Sequence, residues 1–354
     1  MSSRVSRYAV FAGVGLTTLA AGTLHFLDAE PVITFVVAGA ALAGLAWLIS
    51  IATEAVGQRF GPAITGALQS TLGNLPEFFI VLFALAAGEV VVARTSIVGS
   101  LLANALLVLG LAIVAGARAA PDGVMRFRRR LPNDTATLLM LAVFIIVILG
   151  LSNTVGDRAS QHQVAISAIG AVCLLAVYST WLWTYLRSDE PVEPAHEGGA
   201  RPDLPFATAV ALLAAAGVAA AFVSDWFVDA LDPAVEALGI SKAFTGLVIV
   251  GIAGNAVENV VGITLAAKGQ SDLAISVIKN SVAQIAVLVF PLLVLVSLFF
   301  EHRLTFVLGP VYIGAIALTA FAIWQITGDG EAVAFEGWAL VALYVIVAVL
   351  AWYE

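Results

Sequence analysis

Gly73-Asn74-Leu75-Pro76-Glu77 and Gly254-Asn255-Ala256-Val257-Glu258 place one pattern, Gly-Asn-x-x-Glu, twice in a chain of 354 residues. Both copies lie inside long apolar runs, where an ionisable side chain is costly and marks an ion or proton path by default. Within each copy the Asn and Glu are i, i+3 neighbours, so each pair shares one helix face. Each copy is followed by an apolar half-helix, a short turn with a carboxylate (Glu89; Asp272) and a further apolar span. That span carries Gly99-Ser100-Leu101-Leu102-Ala103-Asn104 after the first copy and Lys279-Asn280-Ser281-Val282-Ala283-Gln284 after the second. Chance produces one such motif readily. Two with matched surroundings indicate an internal repeat.

The chain is 61% hydrophobic and 11% charged, with a mean hydropathy of +1.02; soluble domains carry about 25% charged residues. Its apolar runs of about 20 residues suit helices crossing ~30 Å of hydrocarbon. Short alternating segments, the mark of a membrane barrel, do not dominate. The expected fold is an all-α polytopic membrane protein with about eleven transmembrane helices. The expected spans are 8–27, 32–52, 62–87, 91–115, 134–152, 163–186, 205–224, 243–267, 273–298, 304–326 and 332–352. No small-residue cleavage site follows the first run, so it reads as a retained span. The single cysteine, Cys173, sits in an apolar run and permits no internal disulfide. A net charge of −8 argues against nucleic acid, which calls for a basic surface. Membrane lipid is the expected surround.

Residues 187–203 (RSDEPVEPAHEGGARPD) are rich in Pro, Gly and acid and read as a linker. The expected organisation is an extra N-terminal helix (1–30), a first five-helix repeat (31–186), the acidic linker (187–203) and a second five-helix repeat (204–354). Cytoplasmic loops carry the Lys/Arg excess. The cluster Arg118, Arg126, Arg128, Arg129 and Arg130 therefore places its loop, the N-terminus and the linker in the cytoplasm, with the C-terminus outside a cell membrane. The third span then runs outward and the eighth inward. The halves are inverted, as in many secondary transporters whose site lies at the midplane between repeats.

Glu77 and Glu258, facing each other, would make an all-oxygen site with up to two negative charges. Calcium takes about six to eight oxygens from carboxylates, amides, backbone carbonyls and water. Asn74, Asn255, Asn104 and Gln284 offer amide oxygens, although Asn104 and Gln284 equally suit hydrogen bonds between helices. Gly73, Gly254 and Pro76 weaken the helices and free backbone carbonyls toward a cavity. Ser100, Lys279, Asn280 and Ser281 are auxiliary candidates. Glu54 reads either as an interfacial ion pair with Arg59 or as an outer relay. Glu89 and Asp272 read either as solvated helix starts or as cation funnels. Two close carboxylates in low dielectric are costly to keep ionised together. Proton binding and calcium binding would thus exclude each other, which is the logic of an antiporter.

At these residues the sequence resembles the calcium/proton antiporter (CAX) family of the calcium/cation antiporter superfamily. Ala52-Thr53-Glu54, Arg59 and Gly61 are similar to the segment that leads into the family's first motif. Gly99-Ser100 through Asn104, then Leu109-Gly110, resemble its next helix. Leu238-Gly239-Ile240-Ser241, Phe244 and Gly246 ahead of the second motif, with Asp272-Leu273 and Gln284-Ile285 after it, resemble the second-half counterpart. The resemblance implies helices arranged one plus five plus five, and a midplane calcium site with Glu77 and Glu258 as principal ligands. It further implies alternating access by the first two spans of each half, protons as counter-ion, and no cofactor. Pro76 resembles the sodium-coupled branch, so a sodium-coupled exchanger of calcium or another cation is the alternative.

Two positions depart from the family. Glu258-Asn259 stands where Glu-His is common, and Lys279-Asn280 where Gly-Ser is common. Lys279 either snorkels to the interface or brings its ammonium to Glu258 and favours a monovalent or altered substrate. The chain shows no HExxH motif, no Ser/His pair at span depth and no paired membrane aspartates, so it does not read as an enzyme. Two isolated carboxylate clusters suit an occluding site better than a passive channel.

Overall fold

The computed structural model describes residues 2–57, 59–60, 68, 72–128, 130–187 and 204–354. The opening of the third expected span, with Gly61 just before it, and the linker beyond Arg187 lie outside the described residues. The described helices are α1 (Ser2–Phe26), α2 (Pro31–Gly57), α3 (Leu75–Ala86), α4 (Val90–Ala119), α5 (Arg130–Val155) and α6 (Gln163–Arg187). They continue as α7 (Phe206–Leu238), α8 (Lys242–Gly254), α9 (Ala256–Ala267), α10 (Ser271–Phe299), α11 (Pro310–Thr327) and α12 (Ala334–Trp352). Among the described residues, eight helices are long and apolar enough to cross a membrane, or nine if the bent pair α8–α9 is one span. Two further expected segments overlap the shorter apolar helices Val10–Phe26 and Leu75–Ala86. The chain is an integral, multi-pass membrane protein.

The elements around the two motifs correspond closely. Asn74 (φ −86°, ψ 7°) and Asn255 (φ −111°, ψ 18°) each interrupt the helical run. Each is followed by a helix of 12 residues, α3 or α9. Both helices end at a glycine of positive φ, Gly88 (83°) and Gly269 (77°), a conformation costly for any residue with a Cβ. A long helix follows in each half, and each contains a π segment, Ala103–Val108 in α4 and Ile285–Val289 in α10. Such wide turns occur frequently at functional sites.

The halves are joined along their first helices and through crossing long ones. Helix α2 packs lengthwise on α7, with the Phe35 and Phe227 rings stacked at 4.5 Å. Helix α4 meets α8 backbone to backbone, Gly99 against Leu247 and Gly251 against Gly99. Small residues permit this approach, which drives helix association where the solvent is itself apolar.

One element departs from the all-α expectation. Val124–Arg126 (β1) pairs antiparallel with Glu331–Val333 (β2), Arg126 opposite Glu331. Arg126 also bonds Asp122 at 2.6 Å. Strands of three residues carry too little alternation to stand out from a loop, and their partners lie in opposite halves of the chain.

Candidate functional site

Glu77 and Glu258 each occupy the first turn of a helix, α3 and α9. The positive end of the helix dipole favours a carboxylate there. Glu77 is fully buried and Glu258 partly so. The two motifs lie against each other reciprocally. A Cβ built on Gly73 would come within 2.8 Å of Glu258 Oε1, and one on Gly254 within 3.5 Å of Glu77 Cβ. The glycine of each motif therefore lies against the glutamate of the other, and Gly73 leaves room for the Glu258 carboxylate.

Side chains from both halves complete the cluster. Asn255 Nδ2 lies 3.5 Å from Glu77 Oε2 and 3.3 Å from the Gly251 carbonyl. Ser281 Oγ donates to Glu258 Oε2 at 3.0 Å, and Asn104 Nδ2 donates to Ser281 Oγ at 3.3 Å. Asn104, on α4, is thus tied through Ser281 to the second-half glutamate. Ser100 lies as far beyond Glu77 as Ser281 lies beyond Glu258, and it is fully buried next to Glu77. Asn74 is buried as well. Glu77 Oε1, Asn255 Oδ1, Asn280 Oδ1 and Gln284 Oε1 are buried oxygens without a hydrogen-bond partner among the described residues. Buried acceptors are normally satisfied. Of these oxygens, Glu77 Oε1 and the Asn255 amide oxygen lie at the motifs themselves and have the donor chemistry of a hard-cation site.

Not every candidate joins this cluster. Among the described residues, no hydrogen bond links Gln284 or Asn280 to either glutamate. Glu54 is partly buried near the end of α2, while the Arg59 guanidinium stacks over the Phe206 ring at 4.7 Å. Glu89 is held by Lys242 at 2.8 Å, and Lys242 also reaches Asp232 at 2.6 Å. Asp272 accepts the Arg128 backbone N–H at 2.6 Å. Both turn carboxylates are thus held by distant segments of the chain. Lys279 forms no ion pair with Glu258 among the described residues, and its amine turns instead to Thr327, the last residue of α11. The lysine is 5% exposed, and its Nζ donates to Thr327 Oγ1 at 2.7 Å. It lies two residues from Ser281 on α10, and residues so spaced do not share a helix face.

Comparisons with known proteins show the family of this chain. The profile of the family described as "Sodium/calcium exchanger protein" matches residues 30–186 and 208–353. A Ca(2+)/H(+) antiporter of Synechocystis is 31% identical over 345 residues, covering 92% of each chain. The Ca(2+)/H(+) antiporter ChaA of Bacillus subtilis is 31% identical over 356 residues, covering 98% of each. The solved structure of native YfkE superposes with a TM-score of 0.81 at 28% identity, over 98% of this chain and 100% of that one. With both halves matched and the kinship running nearly end to end, the chain belongs to the sodium/calcium exchanger protein family, among its calcium/proton antiporters (CAX).

Proposed function

We propose that this protein is a secondary active antiporter that exchanges calcium for protons by alternating access at a midplane site built on Glu77 and Glu258. The observation that carries this reading is the reciprocal packing of the two motifs, glycine of one against glutamate of the other. Asn74, Asn255 and Asn104 are the amide ligands closest to that geometry, with Ser281 and Ser100 beside the carboxylates. The relatives named as Ca(2+)/H(+) antiporters support the choice of ions. The matched breaks at Asn74 and Asn255, the matched glycine turns and the matched π segments support two inverted five-helix repeats behind an extra N-terminal helix. The arginine-rich loop between α4 and α5 supports a cytoplasmic N-terminus and an outer C-terminus in a cell membrane. In this scheme calcium neutralises both carboxylates when bound, and protons take its place when it leaves.

Purified protein in sealed liposomes tests the coupling. A pH gradient alone is expected to drive calcium uptake, and a sodium gradient alone is not. The reverse outcome would install the sodium-coupled exchanger, the alternative that Pro76 favours.

The reciprocal packing is also unequal, which yields a second expectation. A methyl on Gly73 must displace the Glu258 carboxylate, whereas one on Gly254 makes only ordinary contact with Glu77. Gly73→Ala is expected to raise the half-saturating calcium concentration by about tenfold, near 1.4 kcal/mol, and Gly254→Ala by much less. Equal effects in an uptake titration would refute the unequal contact.

A further inference from the structure

The two motifs carry different residues just after their asparagines. The last four carbonyls of any helix lack an intrahelical partner, and in a membrane core an unmet carbonyl is costly. At the end of α8, two of these carbonyls are taken by side-chain amides. Asn255 Nδ2 lies 3.3 Å from Gly251 O, and Asn259 Nδ2 lies 3.3 Å from Ile252 O. The second bond reaches back seven residues, across the 62° bend between α8 and α9. Asn259 sits one residue beyond Glu258, is 8% exposed, and sends its backbone N–H to Asn255 O at 3.0 Å.

The first motif has no amide at the position equivalent to Asn259. Phe78 occupies the position after Glu77, and Pro76 stands where the second motif has Val257. Proline has no N–H and a fixed φ, so it ends a continuous helix by itself. The second motif lacks proline, and nothing in Ala256-Val257-Glu258 prevents α8 from running on as helix.

We propose that Asn259 is a positioning residue that holds the α8–α9 bend open and so aims Glu258 at Glu77, the role Pro76 performs in the first half. This rests on the reading of Glu258 as a cation and proton ligand. The bond to Ile252 O replaces the amide that α8 would have gained by continuing through residue 256. Loss of that bond lets the helix straighten and turns Glu258 away.

The test uses the full-length protein and two readouts: calcium titration of pH-driven uptake in liposomes, and amide hydrogen exchange over residues 251–262. Asn259→Leu keeps the volume and removes the donor. It is expected to raise the half-saturating calcium by about fivefold or more, with a smaller fall in maximal rate, and to alter exchange around the bend. Adding Val257→Pro to that variant installs the first half's device and is expected to return both readouts toward wild type. Asn259→His, which retains an N–H donor, should sit nearer wild type than the leucine variant. Should the leucine variant aggregate, Asn259→Ala removes the donor without adding a charge beside Glu258 and carries the same expectation. Wild-type behaviour of the donor-free variant overturns the proposal, as does a proline that restores neither readout. If wild-type protein moves no calcium on a pH gradient, the functional reading fails, while the exchange pattern still decides the role of Asn259.

Discussion

Glu77→Gln is expected to abolish pH-driven calcium uptake, and Glu258→Gln to reduce it by about 100-fold, near 2.7 kcal/mol in the transport barrier. Glutamine keeps the size and one carbonyl oxygen but loses two properties at once. It offers no negative charge to a divalent ion, and charge count is a principal control of calcium affinity. It also takes up no proton, so the return half of the cycle loses a carrier. The difference between the positions follows from burial. Glu77 is fully enclosed, with Oε1 unmet, whereas Glu258 is partly exposed. Uptake into liposomes measures the effect, with gel filtration as the control for folding. Wild-type exchange by either variant would remove that carboxylate from the mechanism.

The second large effect concerns the frame rather than the ion. Gly99→Val should lower the melting temperature by about 1–4 °C, from an overpacking cost of about 1–3 kcal/mol spread over a chain of 354 residues. A Cβ there runs into the Leu247 backbone, and on the other helix a Cβ at Gly251 would lie 2.6 Å from Gly99 C. Neither clash is relieved by turning a side chain, because the obstacles are main-chain atoms. Gly217 on α7 has nothing within 4 Å of its Cβ position, so Gly217→Val is the matched control and should melt near wild type. Ser100 follows Gly99 directly, so the same crossing sets where α4 presents its polar residues. Comparable melting of the two variants in a thermal unfolding assay would show that the crossing is looser than its geometry.

Much of the fold and the heart of the site are legible in the residues alone. A carboxylate in an apolar run has few structural excuses, and its repetition with Gly and Asn at fixed offsets points to Glu77 and Glu258 without any coordinates. Span positions follow from the length of the apolar runs. What escapes is whatever depends on distant partners. Ser281 stands on Glu258 and Asn104 on Ser281, a chain of contacts between halves that spacing cannot order. Lys279 turns to Thr327 on α11, a choice set by helix rotation and packing. Asn259 reads only as a departure from a family pattern until the bond to Ile252 shows a mechanical use. The β-ribbon is invisible because three residues hold too little pattern.

That ribbon has a consequence during synthesis. Strand β1 leaves the ribosome about 200 residues before β2, so at about 5–20 residues per second it waits for some ten to forty seconds. Throughout that interval it is a bare edge, open to any passing strand. Asp122, Arg126 and Arg128 crowd it with charge, the usual guard against unwanted pairing. The loop between α11 and α12 then relieves them, with Glu331 taking up Arg126, so the finished ribbon records that α11 has already been made.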